Sequence, residues 1–153
     1  PKHLAYLRPL LDGESIEMDV YYDPETNTEV NPAIGRIAVL LRKDGVKLRW
    51  MSQAASAEVF QMDVDHEADP DEVFGTGQLP LQEKAWNTLK LSAEEGVITV
   101  SVADQAVAAF EAALDRRPGV YCEPGKNARV RNVTLSGDWP EEIPEDLFSV
   151  GQP

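Results

Sequence analysis

Residues 85–107, AWNTLKLSAEEGVITVSVADQAV, contain the pattern that decides the fold. Apolar and polar residues alternate before and after Glu94-Glu95-Gly96, and a third short run follows Ala103-Asp104-Gln105. A period of two is typical of β-strands with one buried face, and glycine after acidic residues is typical of the turn between two such strands. The stretch therefore predicts three consecutive antiparallel strands. Their inward-facing residues are predicted to be Leu89, Leu91, Ile98, Val100 and Val102.

The opposite face of the same stretch carries small polar or basic residues, namely Thr88, Lys90, Ser92, Thr99 and Ser101. A sugar ring stacks on aromatic side chains, and this set contains none. We expect Trp86 to be a packing residue at the start of the first of these strands. The stretch is therefore predicted to be scaffold, and a ligand site is expected elsewhere.

The rest of the chain repeats the same rhythm of short runs and turn signals, among them Asp44-Gly45, Pro118-Gly119 and Ser136-Gly137. Residues 14–23 alternate clearly, and residues 36–42 are apolar on both faces, as in a central strand. In residues 46–51, Trp50 shares a face with Val46 and Leu48, which predicts that its ring packs in the core. Residues 128–136 form the last predicted strand, with a bulge near Arg131-Asn132.

Two segments do not follow this rhythm. Residues 52–80 hold the acidic run DVDHEADPDE and are predicted to be a long loop with one strand near 58–62. Residues 104–116, DQAVAAFEAALDR, place apolar residues at helical spacing in an alanine-rich setting, with Asp104 as a candidate cap. A strand over 106–111 is the alternative, and the residues alone do not decide between the two.

The composition fits one ordinary globular domain. The chain has 153 residues, 42% hydrophobic and 27% charged, and no apolar run near the roughly 20 residues that a membrane helix needs. We therefore predict a single sandwich domain over residues 1–153, with residues 140–153 as a C-terminal tail, and no membrane insertion. Because the chain starts at Pro1 rather than Met, we expect it to be part of a larger protein.

The charge balance limits the class of ligand. With 14 basic and 27 acidic residues, the net charge is −13, which argues against nucleic acid because a binder must present a basic surface to phosphates. A cation, a neutral ligand such as a sugar, or a basic protein patch fits this charge. Solubility is the alternative role of the excess acid. Cys122 is the single cysteine and is predicted to be a small buried residue.

Three segments together resemble a known kind of domain: WNTLKL, EEGVITVSVADQAV and RVRNVTLSGDWPEEIP. Their order and spacing are similar to the C-terminal half of concanavalin-A-like lectin/glucanase sandwiches. With the front segments YLRPLLDGESIEMDVYYDPE and NPAIGRIAVLLRKDGVKLRWM, the chain more narrowly resembles an uncharacterised domain family of planctomycete bacteria. The resemblance implies an all-β fold, a two-sheet antiparallel jelly roll. It also favours the strand over the helix for residues 106–111.

The resemblance brings no activity with it. Glucanases of this class place carboxylates along one strand, and the nearest match here is Glu17-Met18-Asp19. The set is incomplete, because Tyr21 and Tyr22 occupy the positions of the third carboxylate. We therefore expect no catalysis. A bacterial origin is implied, and export to the cell envelope is compatible with it, although the sequence does not specify the compartment.

The best candidate ligand face lies on the predicted strand 14–23. Tyr21 offers a ring, and Glu17 and Asp19 offer hydrogen bonds to hydroxyl groups. Lys47 and Arg49 join this candidate site if their strand borders it.

An acidic cluster within residues 52–80 is the candidate metal site. Asp63, Asp65, Asp69 and Asp71 offer the oxygen ligands that Ca²⁺ prefers, although their spacing is not that of an EF-hand. A solvated acidic loop is the alternative. With two histidines and one cysteine in the chain, a zinc site is not expected.

These observations predict a non-catalytic binding module for a carbohydrate or another cell-surface ligand. A structural or protein-interaction domain within a larger protein is the alternative. A degenerate glycoside hydrolase is the third interpretation.

Overall fold

The computed structural model describes residues 2–5, 8–53, 60–75, 77–112 and 116–137, with side chains described for residues 8–50, 67–75, 77–112 and 116–137. The strands are β1 (Lys2–Ala5), β2 (Ser15–Tyr22), β3 (Asn31–Ile34), β4 (Ile37–Arg42), β5 (Gly45–Gln53), β6 (Phe60–Ala68), β7 (Glu72–Val73), β8 (Ala85–Glu94), β9 (Val97–Val102), β10 (Gln105–Glu111), β11 (Pro118–Cys122) and β12 (Val130–Ser136). A 3-10 turn, Pro24–Thr26, follows β2. In these ranges there is no helix long and apolar enough to cross a membrane.

The strands form two six-stranded sheets. Sheet A has the order β1-β11-β3-β4-β5-β6, and sheet B has the order β12-β2-β8-β9-β10-β7. Every pairing between these strands is antiparallel. The predicted all-β, two-sheet antiparallel sandwich is therefore confirmed.

The core lies between the sheets, and strands such as β2, β8 and β9 contribute every second residue to it. Sheet B contributes Ile16, Met18, Val20, Leu89, Leu91, Ile98, Val100 and Val102, and sheet A contributes Ile34, Ile37, Val39, Leu41, Val46 and Leu48. All of these side chains are buried. The inward faces predicted for β2, β8 and β9 are confirmed, since burial of apolar area drives the alternation that was visible in the sequence.

The β8–β9–β10 meander follows the predicted turns. Glu95 and Gly96 both have positive φ, at 50° and 79°, as do Ala103 and Asp104, at 50° and 62°. Two central residues with positive φ match the right-handed twist of the flanking strands, which makes such turns favourable for hairpins. The first turn has the preferred glycine, and in the second Asp104 tolerates the left-handed conformation.

Residues 104–116 contain a strand rather than a helix, with residues 113–115 outside the described residues. β10 pairs with β9 over its length, with a bulge between Ala106 and Ala108. Val107, Ala108 and Phe110 are buried in the core as a result. Tertiary burial and pairing outweigh the helical propensity of the alanines, which amounts to only tenths of a kcal/mol per residue.

The long loop predicted for residues 52–80 is corrected, because Phe60–Ala68 forms a nine-residue strand. β6 is an edge strand of sheet A, where charged side chains are tolerated and discourage pairing with other chains. Aspartate has a low β-propensity, so the acidic run has the composition of a loop. The pairing shifts register between Arg49↔Glu67 and Met51↔Met62, so that one residue of β5 faces four residues of β6.

The prediction that Trp50 packs in the core is wrong. Val46 and Leu48 are buried, but Trp50 is 51% exposed. It lies on β5 opposite Ile37, at the point where the pairing with β6 shifts register. Cys122, by contrast, is buried as predicted. Trp139 and the predicted tail, residues 140–153, lie outside the described residues.

Candidate functional site

The surface of sheet B that faces away from the core, here called the outer face, carries three of the five predicted ligand residues. Glu17, Asp19 and Tyr21 lie on β2 and alternate with buried neighbours such as Met18. The alternation that fills the core therefore also places a carboxylate or a ring at every second position outside.

Strand register brings β12, β2 and β8 side by side on this face. Arg131 of β12 lies opposite Asp19, and Asp19 lies opposite Thr88 of β8. One row away, Tyr21 lies opposite Trp86. Directly opposite residues in antiparallel strands have Cβ atoms roughly 5 Å apart, which is close enough for their side chains to interact.

Asp19 is held by three neighbours. Thr88 Oγ1 donates to Asp19 Oδ1 at 2.8 Å, and Asn132 Nδ2 donates to Oδ2 at 2.9 Å. Arg131 Nε lies 3.5 Å from Oδ2. The hydrogen bonds from Asn132 and Thr88, assisted by Arg131, lower the pKa of Asp19 below its usual value, because they favour the charged form. Asp19 is therefore a fixed anion that orients its neighbours.

A bulge in β12 makes this arrangement possible. The register with β2 shifts between Arg131 and Thr134, and Asn132 has a positive φ of 55°. A bulge adds a residue to one strand and redirects its side chains, so that both Arg131 and Asn132 reach Asp19. The bulge predicted near Arg131-Asn132 is confirmed.

Two aromatic rings and two guanidinium groups form the aromatic–arginine corner, defined as Tyr21, Trp86, Arg129 and Arg131. The rings of Tyr21 and Trp86 are 5.5 Å apart at an interplanar angle of 70°. The guanidinium carbon of Arg129 lies 4.4 Å from the centroid of Tyr21 and 5.2 Å from that of Trp86. That of Arg131 lies 4.0 Å from the centroid of Trp86. Both distances to the nearer ring are in the range of favourable cation–π contacts.

This corner corrects the expectation that Trp86 is a packing residue and that the outward residues of the stretch 85–107 include no aromatic ring. Trp86 is half-buried and belongs to the outer face together with Thr88 and Lys90. The sequence contains the information that places Trp86 on this face, because Trp86, Thr88 and Lys90 are two residues apart and alternate residues of a strand share a face. Arg129 and Arg131 gave no such signal, since their positions depend on the pairing of β12 with β2.

The structure does not bring Lys47 and Arg49 to this face. They lie on β5 in sheet A, which does not border β2. Lys47 pairs with Asp69, and Arg49 Nε lies 2.8 Å from Glu67 Oε2. The hydrogen bond from Lys47 to Asp69 raises the pKa of Lys47. The five predicted ligand residues thus divide between opposite faces of the sandwich.

Two of the four aspartates of the candidate calcium site have described side chains, and these two have separate partners. The side chains of Asp63 and Asp65 lie outside the described residues. Asp69 pairs with Lys47, and Asp71 Oδ2 accepts a hydrogen bond from the backbone of Glu111 at 2.9 Å. Among the side chains that the structure describes, no group of three His, Cys, Asp or Glu residues is arranged to hold a metal ion. Calcium binding by this set stays a prediction.

A family model covers nearly the whole chain. It is described as a domain of unknown function, DUF1583_N, and it matches residues 2–142. The chain belongs to the DUF1583_N family. Membership agrees with the resemblance to an uncharacterised domain family, whereas the planctomycete origin of this DUF1583_N domain stays a prediction. No curated protein matches the chain at a significant level.

Solved structures similar to the DUF1583_N domain include galectins. A double variant of human galectin-16 has a TM-score of 0.58 and 10% identity, and the match covers 90% of this chain and 96% of that one. Galectin LEC-6 of Caenorhabditis elegans has a TM-score of 0.53 and 14% identity, with 89% and 90% covered. A toad ovary galectin in complex with thio-digalactose has a TM-score of 0.51 and 17% identity, with 88% and 98% covered. At these identities the similarity shows a lectin-like jelly-roll fold.

Proposed function

We propose that this DUF1583_N domain is a non-catalytic carbohydrate-binding module that uses the outer face of sheet B. The observation that carries the proposal is the aromatic–arginine corner, where Tyr21 and Trp86 meet beside the hydrogen-bonded Asp19. Saccharide sites combine ring surface for C–H contacts with polar groups for hydroxyls, and this face has both.

The rest of the outer face extends this set of polar groups. Ser136, Ser15, Ser92 and Thr99 follow one another across β12, β2, β8 and β9 by strand register. Hydroxyl groups donate and accept hydrogen bonds and therefore complement the hydroxyls of a sugar. On β2, Tyr21 lies six residues beyond Ser15 of this row, a distance of about 20 Å. A face of that length suits an oligosaccharide better than a single sugar.

The galectin fold lends further support, since one of the similar galectins is a complex with thio-digalactose. That ligand belongs to the toad protein, and for this domain it suggests only which class of compound to try first.

A glycosidase is less well supported. A general acid needs a carboxyl group whose pKa is raised, whereas the hydrogen bonds from Asn132 and Thr88 lower the pKa of Asp19. Protein interaction is the second candidate, favoured by the exposed ring of Trp50 on sheet A. The other large apolar side chains exposed among the described residues, Val73, Phe74 and Val133, lie on or beside β7 and β12 of the other sheet. Apolar residues scattered over several strands are less than the contiguous apolar patch of a typical interface, so this candidate ranks below the first.

The proposal is tested by glycan-array binding of the purified domain, with and without calcium, followed by titration of any bound glycan into two variants. Trp86→Ala is expected to weaken binding about tenfold or more, equivalent to about 1.4 kcal/mol, because it removes the ring that supports the corner. Trp50→Ala is the matched control and is expected to leave binding unchanged, since it removes a tryptophan from the other sheet. Unfolding curves of both variants establish that each is folded.

Two outcomes contradict the proposal. Absence of signal on the array in either condition argues against a glycan ligand. Equal loss of binding in Trp86→Ala and Trp50→Ala, with both variants folded, argues against the outer face of sheet B as the site.

A further inference from the structure

Arg129 stands apart from other arginines of this domain. Ion pairs with described carboxylates are formed by Arg8, Arg42, Arg49, Arg116 and Arg131. Arg129 forms no ion pair within the same part of the chain, although the sequence has 27 acidic residues and only 14 basic ones. Its side chain is exposed and lies over Tyr21. A guanidinium in this position is available to a ligand.

The charges around Arg129 leave a local positive surplus. Among the described residues, the carboxylate in direct contact with the corner is that of Asp19, which is already engaged by Thr88, Asn132 and Arg131. One row away, Glu17 and Lys90 lie opposite each other with opposite charge. Among these side chains, the charge of Arg129 is the one without a counterpart.

The aromatic rings also hold Arg129 in a position to bind. Its guanidinium lies between 4 and 6 Å from two ring centroids, at 4.4 Å for Tyr21 and 5.2 Å for Trp86. Contacts with ring faces restrict the side chain before a ligand arrives, so less conformational entropy is lost on binding. The planar group keeps its N–H donors for a planar or tetrahedral anion, which it can bind through two parallel hydrogen bonds.

From this geometry we infer that the ligand of the outer face is an acidic saccharide, one whose carboxylate or sulfate ester binds Arg129 while its sugar rings lie along the hydroxyl-bearing part of the face. The inference rests on the proposed carbohydrate-binding function and specifies the class of sugar. A surplus of one positive charge, in a domain of net charge −13, suits a ligand with sparse negative charge. It does not suit a dense polyanion such as nucleic acid, which requires many basic contacts.

The test compares three probes of equal length by titration calorimetry: neutral galactotetraose, galactotetraose with one sulfate ester, and tetragalacturonic acid. We expect at least one acidic probe to bind about tenfold more tightly than the neutral probe, with a preference that declines as NaCl is raised. Comparison of the affinities for the sulfated probe and for the uronate probe shows whether the site prefers a sulfate ester or a carboxylate. Arg129→Gln is expected to weaken binding of the acidic probes about tenfold more than it weakens binding of the neutral probe, so that the preference is lost.

Two further variants sharpen the result. Arg129→Lys keeps the charge without the planar pair of donors and is expected to retain only part of the preference. Arg49→Gln removes the same charge from sheet A and is expected to keep the full preference. Because Arg129 is exposed, its variants are expected to unfold at the temperature of the wild type within a few degrees.

Each remaining outcome overturns the inference. If the neutral probe binds as tightly as both acidic ones, or if Arg129→Gln weakens all three equally, the anion preference is wrong while the carbohydrate-binding function stands. If none of the probes binds and the glycan array is also silent, the proposed function fails, and the inference fails with it.

Discussion

Asp19 organises the outer face of sheet B at the scale of single residues. Its two oxygens accept hydrogen bonds from strands on both sides, from Thr88 of β8 and from Asn132 of β12. Hydrogen bonds to an ionised group are stronger than those between neutral groups. One carboxylate therefore ties three strands together on the surface and also positions Arg131 against Trp86.

Replacing Asp19 with asparagine is expected to lower the free energy of unfolding at pH 7 by about 1 kcal/mol, because the amide cannot accept from both neighbours as the carboxylate does. The pKa of Asp19 is lowered in the folded state, so its contribution is full above the ordinary value near 3.8 and is lost as pH falls through the lowered pKa. Urea unfolding at pH 7 and at pH 2–3 is therefore expected to separate wild type and variant at pH 7 and to bring them together in acid.

Glu17→Gln is the control for this prediction, since it makes the same chemical change on the same face at an exposed residue. Its effect on the free energy of unfolding is expected to stay within about 0.5 kcal/mol. A difference between wild type and Asp19→Asn that persists unchanged at pH 2–3 contradicts the role assigned to the ionised form.

The residue-scale features differ in how far sequence alone predicts them. The alternation of β2 predicts the shared face of Glu17, Asp19 and Tyr21, because period-two burial is a local property. The same alternation places Trp86 on the outward face of β8, although the hydrophobicity of tryptophan suggests burial in the core. Arg129 was not predictable, since its contact with Tyr21 joins residues more than a hundred positions apart in the sequence.

β10 is the instructive case at the scale of elements. Its alanines favour a helix by a small local free energy, yet Phe110 and Ala108 gain burial only when the segment extends beside β9. Burial of a large side chain contributes roughly 1.5–3 kcal/mol, which exceeds the difference in propensity. The acidic strand β6 follows the same logic, since its pairing with β5 outweighs a composition typical of loops.

Two alanines of β10 test this description. Ala108 is fully buried, whereas Ala106 on the same strand is exposed. Ala108→Leu is expected to lower the free energy of unfolding by about 1–3 kcal/mol, because a well-packed core does not accept the added volume. Ala106→Leu makes the same exchange at the surface and is expected to change it by less than about 0.5 kcal/mol. Urea unfolding of both variants measures the contrast, and equal effects would show that β10 does not face the core in this way.

Net charge acts on the whole molecule. With 27 acidic and 14 basic residues, the repulsion between like charges opposes compaction. Surface ion pairs such as Lys43–Glu83, whose side chains are 54% and 45% exposed, offset little of it. The same charge repels nucleic acid, and the positive charge of the aromatic–arginine corner acts only over a short range, because salt screens charges beyond about 10 Å.

Raising NaCl from about 0.05 M to about 0.5 M at pH 7 is expected to raise the melting temperature by about 3 °C, since salt screens the net repulsion. Repeating the titration at about pH 4.5, where carboxyl groups approach half protonation, is the control and is expected to show a smaller rise. A melting temperature that falls with salt at pH 7 would mean that attractive ion pairs dominate instead.

The pairing of β12 with β2 has a consequence for the order of events in folding. Asp19 and Asn132 are 113 positions apart, and β12 is an edge strand of sheet B. Contacts of such long range close late in folding, and an edge strand opens with less loss of buried contact than a central one. The part of the outer face formed by β12 and β2 is therefore expected to assemble last and to open first. A saccharide bound across β12 and β2 would hold the two strands together. Hydrogen exchange in β12 would then become slower, while exchange in the central strands would stay unchanged.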